Sequence, residues 1–376
     1  MKLLVFCYEF PPIGAGAGNA VYHLAREWVK LGHEVTVVTS RFENLPREDE
    51  KEGIRVIRVP VGRKFPFKGR VREMLLYMVE TVLGADKYFR RHRPDLCLVF
   101  MTLPGGLAPL CLKMRHGVPF ITHIRGGDVP GFDPGSLRFY HFLLKFLIGW
   151  MWRKSRAVIA NSRGLAKLAE GSVPSVRVLT IPNGVDSSFF MPPENSAKAG
   201  KLKILFAGRF VDSQKNISML LWAASRFPEA ELVLVGDGPD KARLAASARR
   251  LGLGERVHFP GWLKGEDLLA VYQSADVYVS ASRWEGMPNT VLEAMAVGLP
   301  LLLSRVAGHE ELVEEGRNGF LFDASDERKF LEGMSRLLGD ADLWNQMGRA
   351  GRAAAVQRHD WARLARAHLE IYRAHV

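Results

Sequence analysis

Cysteine is scarce in this chain: three residues in 376, Cys7, Cys97 and Cys111, each in or beside an apolar run and none at metal-ligand spacing. This excludes a disulfide framework and a thiolate metal site, and reads the three as small buried hydrophobes of a reducing compartment. Long apolar runs are lacking as well. The opening MKLLVFCYEF holds six consecutive apolar residues before Glu9, too few for a secretory h-region, and is expected to be the first buried strand of a cytoplasmic protein. There is no internal repeat and no long low-complexity segment. The only Asp-x-Asp is Asp340-Ala-Asp342, inside a helical pattern and expected on a solvated face, so no metal site is expected.

What is present begins with length, since 376 residues exceed what one hydrophobic core usually serves and predict two domains. Apolar residues at 47% and charged residues at 24% are those of an ordinary globular protein. The net charge of +12 is unevenly placed: residues 1–186 carry 28 Lys and Arg against 16 Asp and Glu, residues 187–376 carry 24 of each. The basic half is expected to face something anionic, a phosphorylated ligand or a membrane surface rather than nucleic acid.

Short apolar runs alternate with helical periods twice over: KLLVFC, EVTVVT, IRVIRV, DLCLVF, VPFIT and AVIA, then KILFAG, ELVLVG, RVHF, DVYVS and PLLLS. Strands this uniformly apolar belong to parallel sheets covered on both faces, so the fold class is α/β with two Rossmann-like domains. Residues 1–186 are expected to form the first domain, the Pro-, Gly- and Ser-containing stretch 187–201 a linker, 202–340 the second domain, and 341–376 helices packing back toward the first. In such folds ligands lie beyond the carboxyl ends of the strands, which places the loops of PPIGAGAGNA, HIRGGDVPGF, AGRFVDSQKN, GDGPD and SRWEGMPNT around an interdomain cleft.

Within those loops Gly14, Gly16 and Gly18 resemble a dinucleotide fingerprint, but its acidic partner some 20 positions on is replaced by Val38, Thr39 and Ser40, so a tight turn whose amides receive a phosphate or hydroxyls is the alternative. Arg209 follows a strand end and Lys215 opens the next helix, a pair suited to one anion, unless both are solvated surface cations. Gly208 and Gly236 belong to the turns beside them. Gly286, Met287, Pro288, Asn289 and Thr290 lead into a helix whose N-terminus suits phosphate. Thr290-Val-Leu-Glu293 fits a capping box, which accounts for Glu293 locally. Glu285 has no local duty.

The motifs FPPIGAGAGNAVYHLAREWVKLGHEVTVVT, IPNGVD, FAGRFVDSQKN, LVGDGPD and SRWEGMPNTVLEAMAVGLP together resemble glycosyltransferase family 4, retaining enzymes of the GT-B fold. The resemblance implies that Arg209 and Lys215 hold the diphosphate of a UDP-, GDP- or other nucleotide sugar, that Glu285 binds hydroxyls of the transferred sugar, and that Glu293 binds the ribose. It implies no cofactor and no divalent ion. Where the family commonly has His-Gly-x-Asp, this chain has Arg125-Gly126-Gly127-Asp128, so Arg125 stands at the sugar-facing position. His123 is either a second contact or a packed core residue, and Asp128 either a loop cap or an acceptor contact. A glycosidase pair of carboxylates would leave the phosphate-seeking groups beside it unexplained; a GT-B epimerase, or a scaffold that kept the fold, remains an alternative.

The acceptor is expected to be a carbohydrate or lipid-linked glycan precursor. Two segments favour an anionic membrane nearby: RKFPFKGRVR, with Arg63, Lys64, Lys68, Arg70 and Arg72 around Phe65 and Phe67, and SLRFYHFLLKFLIGWMWRK, with Arg138, His141 and Lys145 on one stripe and Phe142, Leu143, Phe146, Leu147 and Trp150 on a broad face. The second segment reads equally well as a core helix.

Overall fold

A computed structural model describes residues 1–14, 16–65, 69–133, 138–194 and 201–376, without the side chains of residues 138–140 and 341. The chain divides into two compact units, Met1–Asn183 with Trp361–Val376, and Gly184–Asp360.

The first unit is built on an eight-stranded sheet of β1 (Lys2–Cys7), β2 (Glu34–Phe42), β3 (Glu48–Lys51), β4 (Ile54–Arg63), β5 (Leu96–Phe100), β6 (Phe120–Ile124), β7 (Val158–Ala160) and β8 (Val178–Thr180), in the order β3-β4-β2-β1-β5-β6-β7-β8. All pairs are parallel except β3 with β4. The apolar runs became strands because helices cover both faces: β1 and β5 are buried almost throughout. The strand β3 was not readable from apolar pattern. Its sequence, EDEK, is wholly exposed, a short charged edge of the kind that discourages further pairing.

One face of this sheet is closed by the last helix of the chain, Trp361–Arg373. Trp28 Nε1 donates to Ala365 O at 3.2 Å, Trp361 stacks on His23, and the Tyr372 hydroxyl meets His123 Nε2 at 2.9 Å. The preceding helix, Ala341–Arg358, lies with the second unit. The expected return of 341–376 to the first half thus holds a division: the amphipathic face of Trp361–Arg373 is what the first sheet covers. Asp340 caps the Ala341–Arg358 helix by accepting from Leu343 N at 2.9 Å.

The second unit carries six parallel strands, β9 (Leu202–Ala207), β10 (Ala230–Val235), β11 (Val257–Gly261), β12 (Val277–Ser280), β13 (Leu301–Ser304) and β14 (Gly319–Phe322), in the order β11-β10-β9-β12-β13-β14. The strands β8 and β14 were also unforeseen. Of the expected linker, residues 195–200 lie outside the described residues. The part before them is no loose tether: Phe190 is buried in the second unit's core, and Arg352 donates to Ser187 O and Phe190 O. Aromatic burial there outweighs the loop-forming prolines that follow.

Candidate active site

In the second sheet the strand order runs outward in both directions from the β9/β12 boundary, so the topological switch point lies between those strands. Arg209 follows the end of β9 and Glu285 the end of β12, which puts both loops at that point. Glu285 reaches Lys215: Nζ to Oε1 is 2.5 Å, with the side chains 16% and 8% exposed. The Ser282 hydroxyl donates to the same Oε1 at 2.7 Å. Burial alone would raise the Glu285 carboxyl, but Lys215, with His309 and Ser282, outweighs it and holds the group below the usual carboxylate range. A pair this enclosed is an anion site and a cation site held against one another.

Residues without any motif of their own fasten the two loops. Arg283 donates to Asp212 O at 2.9 Å and to Asn216 Oδ1 at 2.8 Å, and Gln214 Nε2 donates to Trp284 O at 3.2 Å. Asp212 in turn accepts from Ser218 N, Ser218 Oγ and Arg243 Nη2. The short helix Asp212–Lys215 is therefore locked to the Glu285 loop by partners some seventy positions away, and no local pattern announces them. Arg209 differs: it is exposed, and its guanidinium makes no hydrogen bond or ion pair among the described residues.

Close backbone approach explains the glycines. A Cβ on Gly236, where φ is +136°, would stand 1.9 Å from Gly208 O, and one on Gly308 would stand 2.4 Å from Gly286 O. Only glycine lets these turns nest beside the Glu285 loop.

The helix Asn289–Val297 corrects one expectation. Its N-cap is Pro288, with no side-chain cap, so Thr290 and Glu293 do not form a capping box. Tertiary partners have taken both side chains. Thr290 Oγ1 accepts from the Tyr278 hydroxyl at 2.8 Å, and Glu293 Oε2 accepts from the Tyr272 hydroxyl at 2.8 Å. Burial pushes the Glu293 carboxyl up to about 7, against the opposing pull of that hydroxyl. Met287 is a core side chain, buried with Leu292 and Tyr272, which leaves its backbone for any ligand.

The first unit holds a separate cluster. Its sheet order turns at β1/β5, and the loops after β1, β5 and β6 carry the predicted residues. Arg125 Nη1 donates to Asn183 Oδ1 at 2.5 Å and its guanidinium lies 4.8 Å from the Phe100 ring centre. Its Nε is buried with no partner among the described residues. Burial draws Arg125 down to about 10, with Tyr372, Cys7 and Asp128 pulling the other way, so it stays a cation at neutral pH. Asp128 is a loop brace: Oδ1 accepts from Arg125 N and Gly126 N, Oδ2 from Thr102 N and Thr102 Oγ1. With four donors on two oxygens it is satisfied, tying its own loop to the turn at Thr102.

His123 belongs to the core. It is fully buried, stacks on Phe100 at 4.3 Å and bonds Tyr372, and burial keeps its pKa well below the ordinary value. A β-strand alternates its faces, and two residues upstream of Arg125 the chain is still inside β6. At the first glycines, a Cβ on Gly14 would stand 2.4 Å from Glu9 Cβ, and Gly18 packs on the Glu9 backbone. Gly16 opens the first helix, Gly16–Lys30. These glycines lie in a tight turn packed on Glu9, whose carboxylate lies beside Gly14.

Of the basic segment 63–72, Lys68 and Phe67 lie outside the described residues. Arg63 is an interior residue, against expectation. It donates to Ser40 Oγ and Phe65 O and lies 3.6 Å from Glu9, because the Tyr8 ring and a half-buried carboxylate neighbour offer it more than solvent does. His141 likewise leaves the polar stripe, buried against Gly127 O at 2.9 Å.

Comparison with known proteins covers both units. Residues 15–184 match the family described as glycosyl transferase 4-like domain, and residues 188–354 match glycosyl transferases group 1. A sulfoquinovosyl transferase of Arabidopsis thaliana is 27% identical over 92% of this chain and 68% of its own. Among solved structures, sucrose-phosphate synthase from Thermosynechococcus elongatus superposes with TM-score 0.89 at 22% identity, covering 99% of this chain and 98% of that one. Anabaena HepE, solved with UDP and glucose, gives TM-score 0.78 at 19% identity over 99% of both chains. Two parallel-sheet α/β units, family matches across each of them and full-length GT-B neighbours together show that this chain belongs to the GT4-type glycosyltransferases of the GT-B fold.

Proposed function

We propose that the protein is a retaining, metal-independent glycosyltransferase that moves a sugar from a nucleotide-diphosphate sugar to a carbohydrate or lipid-linked acceptor. The observation that carries this reading is the Lys215–Glu285 pair, with exposed Arg209 following β9, at the switch point of the second sheet. Breaking the bond between sugar and diphosphate leaves negative charge on phosphate and positive charge on the anomeric carbon. Preorganised cations stabilise the first, and Arg209 and Lys215 supply two. Glu285, ionised and fixed by Ser282, accepts hydrogen bonds from sugar hydroxyls once Lys215 is shared with the diphosphate. Glu293 receives the ribose hydroxyls. For retention, the acceptor attacks from the face the leaving phosphate occupies, and that phosphate takes its proton. Arg125, held by Asn183, is the cation of the first unit that meets the acceptor or the sugar.

The reading includes a cytoplasmic setting, in which Cys7, Cys97 and Cys111 remain free thiols, beside an anionic membrane. The test is calorimetry with UDP and GDP, paired with turnover of the matching nucleotide sugars. Arg209→Ala weakens diphosphate binding by about 1.5–3 kcal/mol, the usual worth of a charged hydrogen bond. Glu285→Gln keeps that affinity and loses transfer. Equal diphosphate affinity in wild type and Arg209→Ala removes the assignment, and a wild type that binds nucleotide without hydrolysing or transferring any sugar is a scaffold.

A further inference from the structure

The first unit exposes two apolar helix faces that its own core does not use. On the helix Arg138–Lys154, Phe142 is 77% and Phe146 85% exposed, with Leu143 and Trp150 continuing the row. Their spacing of three and four residues makes one continuous stripe. On the helix Val71–Leu83, Val71, Leu75, Val79 and Leu83 form a second stripe, Leu83 being 75% exposed. Both helices pack through Leu147, Met151, Met74 and Tyr77 on the same hydrophobic layer over the sheet, and the short helical turn Thr102–Gly105 touches both. The two stripes therefore belong to one side of this unit. Large apolar side chains in rows this exposed mark an interaction surface.

Charge identifies the occupant. The helix Arg138–Lys154 contains no acidic residue, and Lys145, Arg153 and Lys154 are exposed along it. Lys64, Arg70 and Arg72 are exposed at the start of Val71–Leu83, whose one exposed carboxylate is Glu80. A second copy meeting this face about a two-fold axis would set Lys145, Arg153 and Lys154 against their own equivalents. An anionic bilayer supplies what both features need: hydrocarbon for the phenylalanines and leucines, negative headgroups for the cations bordering them. No helix among the described residues is long and apolar enough to cross a membrane, so the contact is interfacial.

We propose that the Val71–Leu83 and Arg138–Lys154 helices form a docking surface for anionic lipid, on which the first unit lies with Phe142 and Phe146 inserted among the headgroups. This deepens the acceptor part of the glycosyltransferase reading and rests on it only for the purpose of docking, since the surface itself is independent of the donor site.

Flotation of the full chain with phosphatidylcholine vesicles, with and without phosphatidylglycerol, tests it. Wild type floats with the anionic vesicles at low salt, less at high salt, and poorly with the neutral ones. Phe142→Ser with Phe146→Ser abolishes flotation. Replacing Lys64, Arg70 and Arg72 with Gln weakens it by about fivefold for each cation removed. These side chains are exposed, and calorimetry with UDP and GDP shows whether each variant keeps its donor site. Loss of flotation with unchanged nucleotide affinity supports the proposal even if no transfer is ever measured, and Phe142→Ser with Phe146→Ser that still floats overturns it while leaving the enzyme reading in place. Wild type that ignores anionic vesicles at low salt also overturns it, as does a dimer in sedimentation that Phe146→Ser dissociates, which assigns the face to a second copy.

Discussion

Replacing Glu293 with Gln removes a pH dependence whose sign and size follow from the Tyr272 pocket. The carboxyl titrates near 4.5 in the unfolded chain and about 7 in the fold, raised by burial. Between those values the folded state holds a proton that the unfolded state releases, so stability falls as pH rises from 4.5 and levels off above 7. At about 1.4 kcal/mol for each pH unit between the two values, ionised Glu293 costs the fold about 3 kcal/mol. Gln keeps the shape, cannot ionise, and retains an oxygen for the Tyr272 hydroxyl. Urea unfolding of both proteins at pH 4.5 and pH 8 measures the effect as a double difference, which cancels every other titrating group: the Gln variant gains about 3 kcal/mol on wild type between the two conditions. If ribose hydroxyls donate to this carboxylate, binding selects its ionised form. Affinity for a nucleotide sugar, whose diphosphate diester does not titrate here, then rises about tenfold in wild type from pH 6 to pH 8 and stays flat in the variant. A double difference near zero refutes the burial argument; equal pH profiles of binding refute the ribose role alone.

Two further outcomes follow from packing. Gly236→Ala places a methyl group 1.9 Å from Gly208 O and destabilises by more than about 2 kcal/mol, with diphosphate affinity falling as the two turns separate; thermal unfolding and calorimetry report both. Asp128→Ala strips acceptors from Thr102, Arg125 and Gly126 and lowers stability by about 2–3 kcal/mol, measured by urea unfolding, whereas an acceptor contact would have changed turnover with little loss of stability.

How far the sequence could be read depended on how local the cause was. The apolar runs of β1, β5, β9 and β13 announce themselves because burial on both faces leaves no room for a polar side chain. The charged edge β3 shows the reverse, since pairing with β4 alone makes it a strand. Glu285 was legible as a carboxylate without local duty, and it pairs with Lys215. What holds that pair was not legible: Arg283 and Gln214 act across some seventy positions. Glu293 shows a local rule losing to a tertiary one, its capping pattern displaced by two buried tyrosines. Arg63 lies in a run of cations indistinguishable from a surface patch until Glu9 and Tyr8 are seen beside it.

The helix Trp361–Arg373 closes the first sheet, yet it is made only after the whole of the second unit. On a ribosome the first unit waits, its Trp28 and His123 surface uncovered, while the whole of the second unit is synthesised and free to fold. Completion of the first unit thereby waits on a helix that follows the second unit in sequence. A chain interrupted anywhere before residue 361 leaves that sheet open to aggregation or to chaperones, so premature termination late in the second unit damages the unit already made as well as the one it truncates.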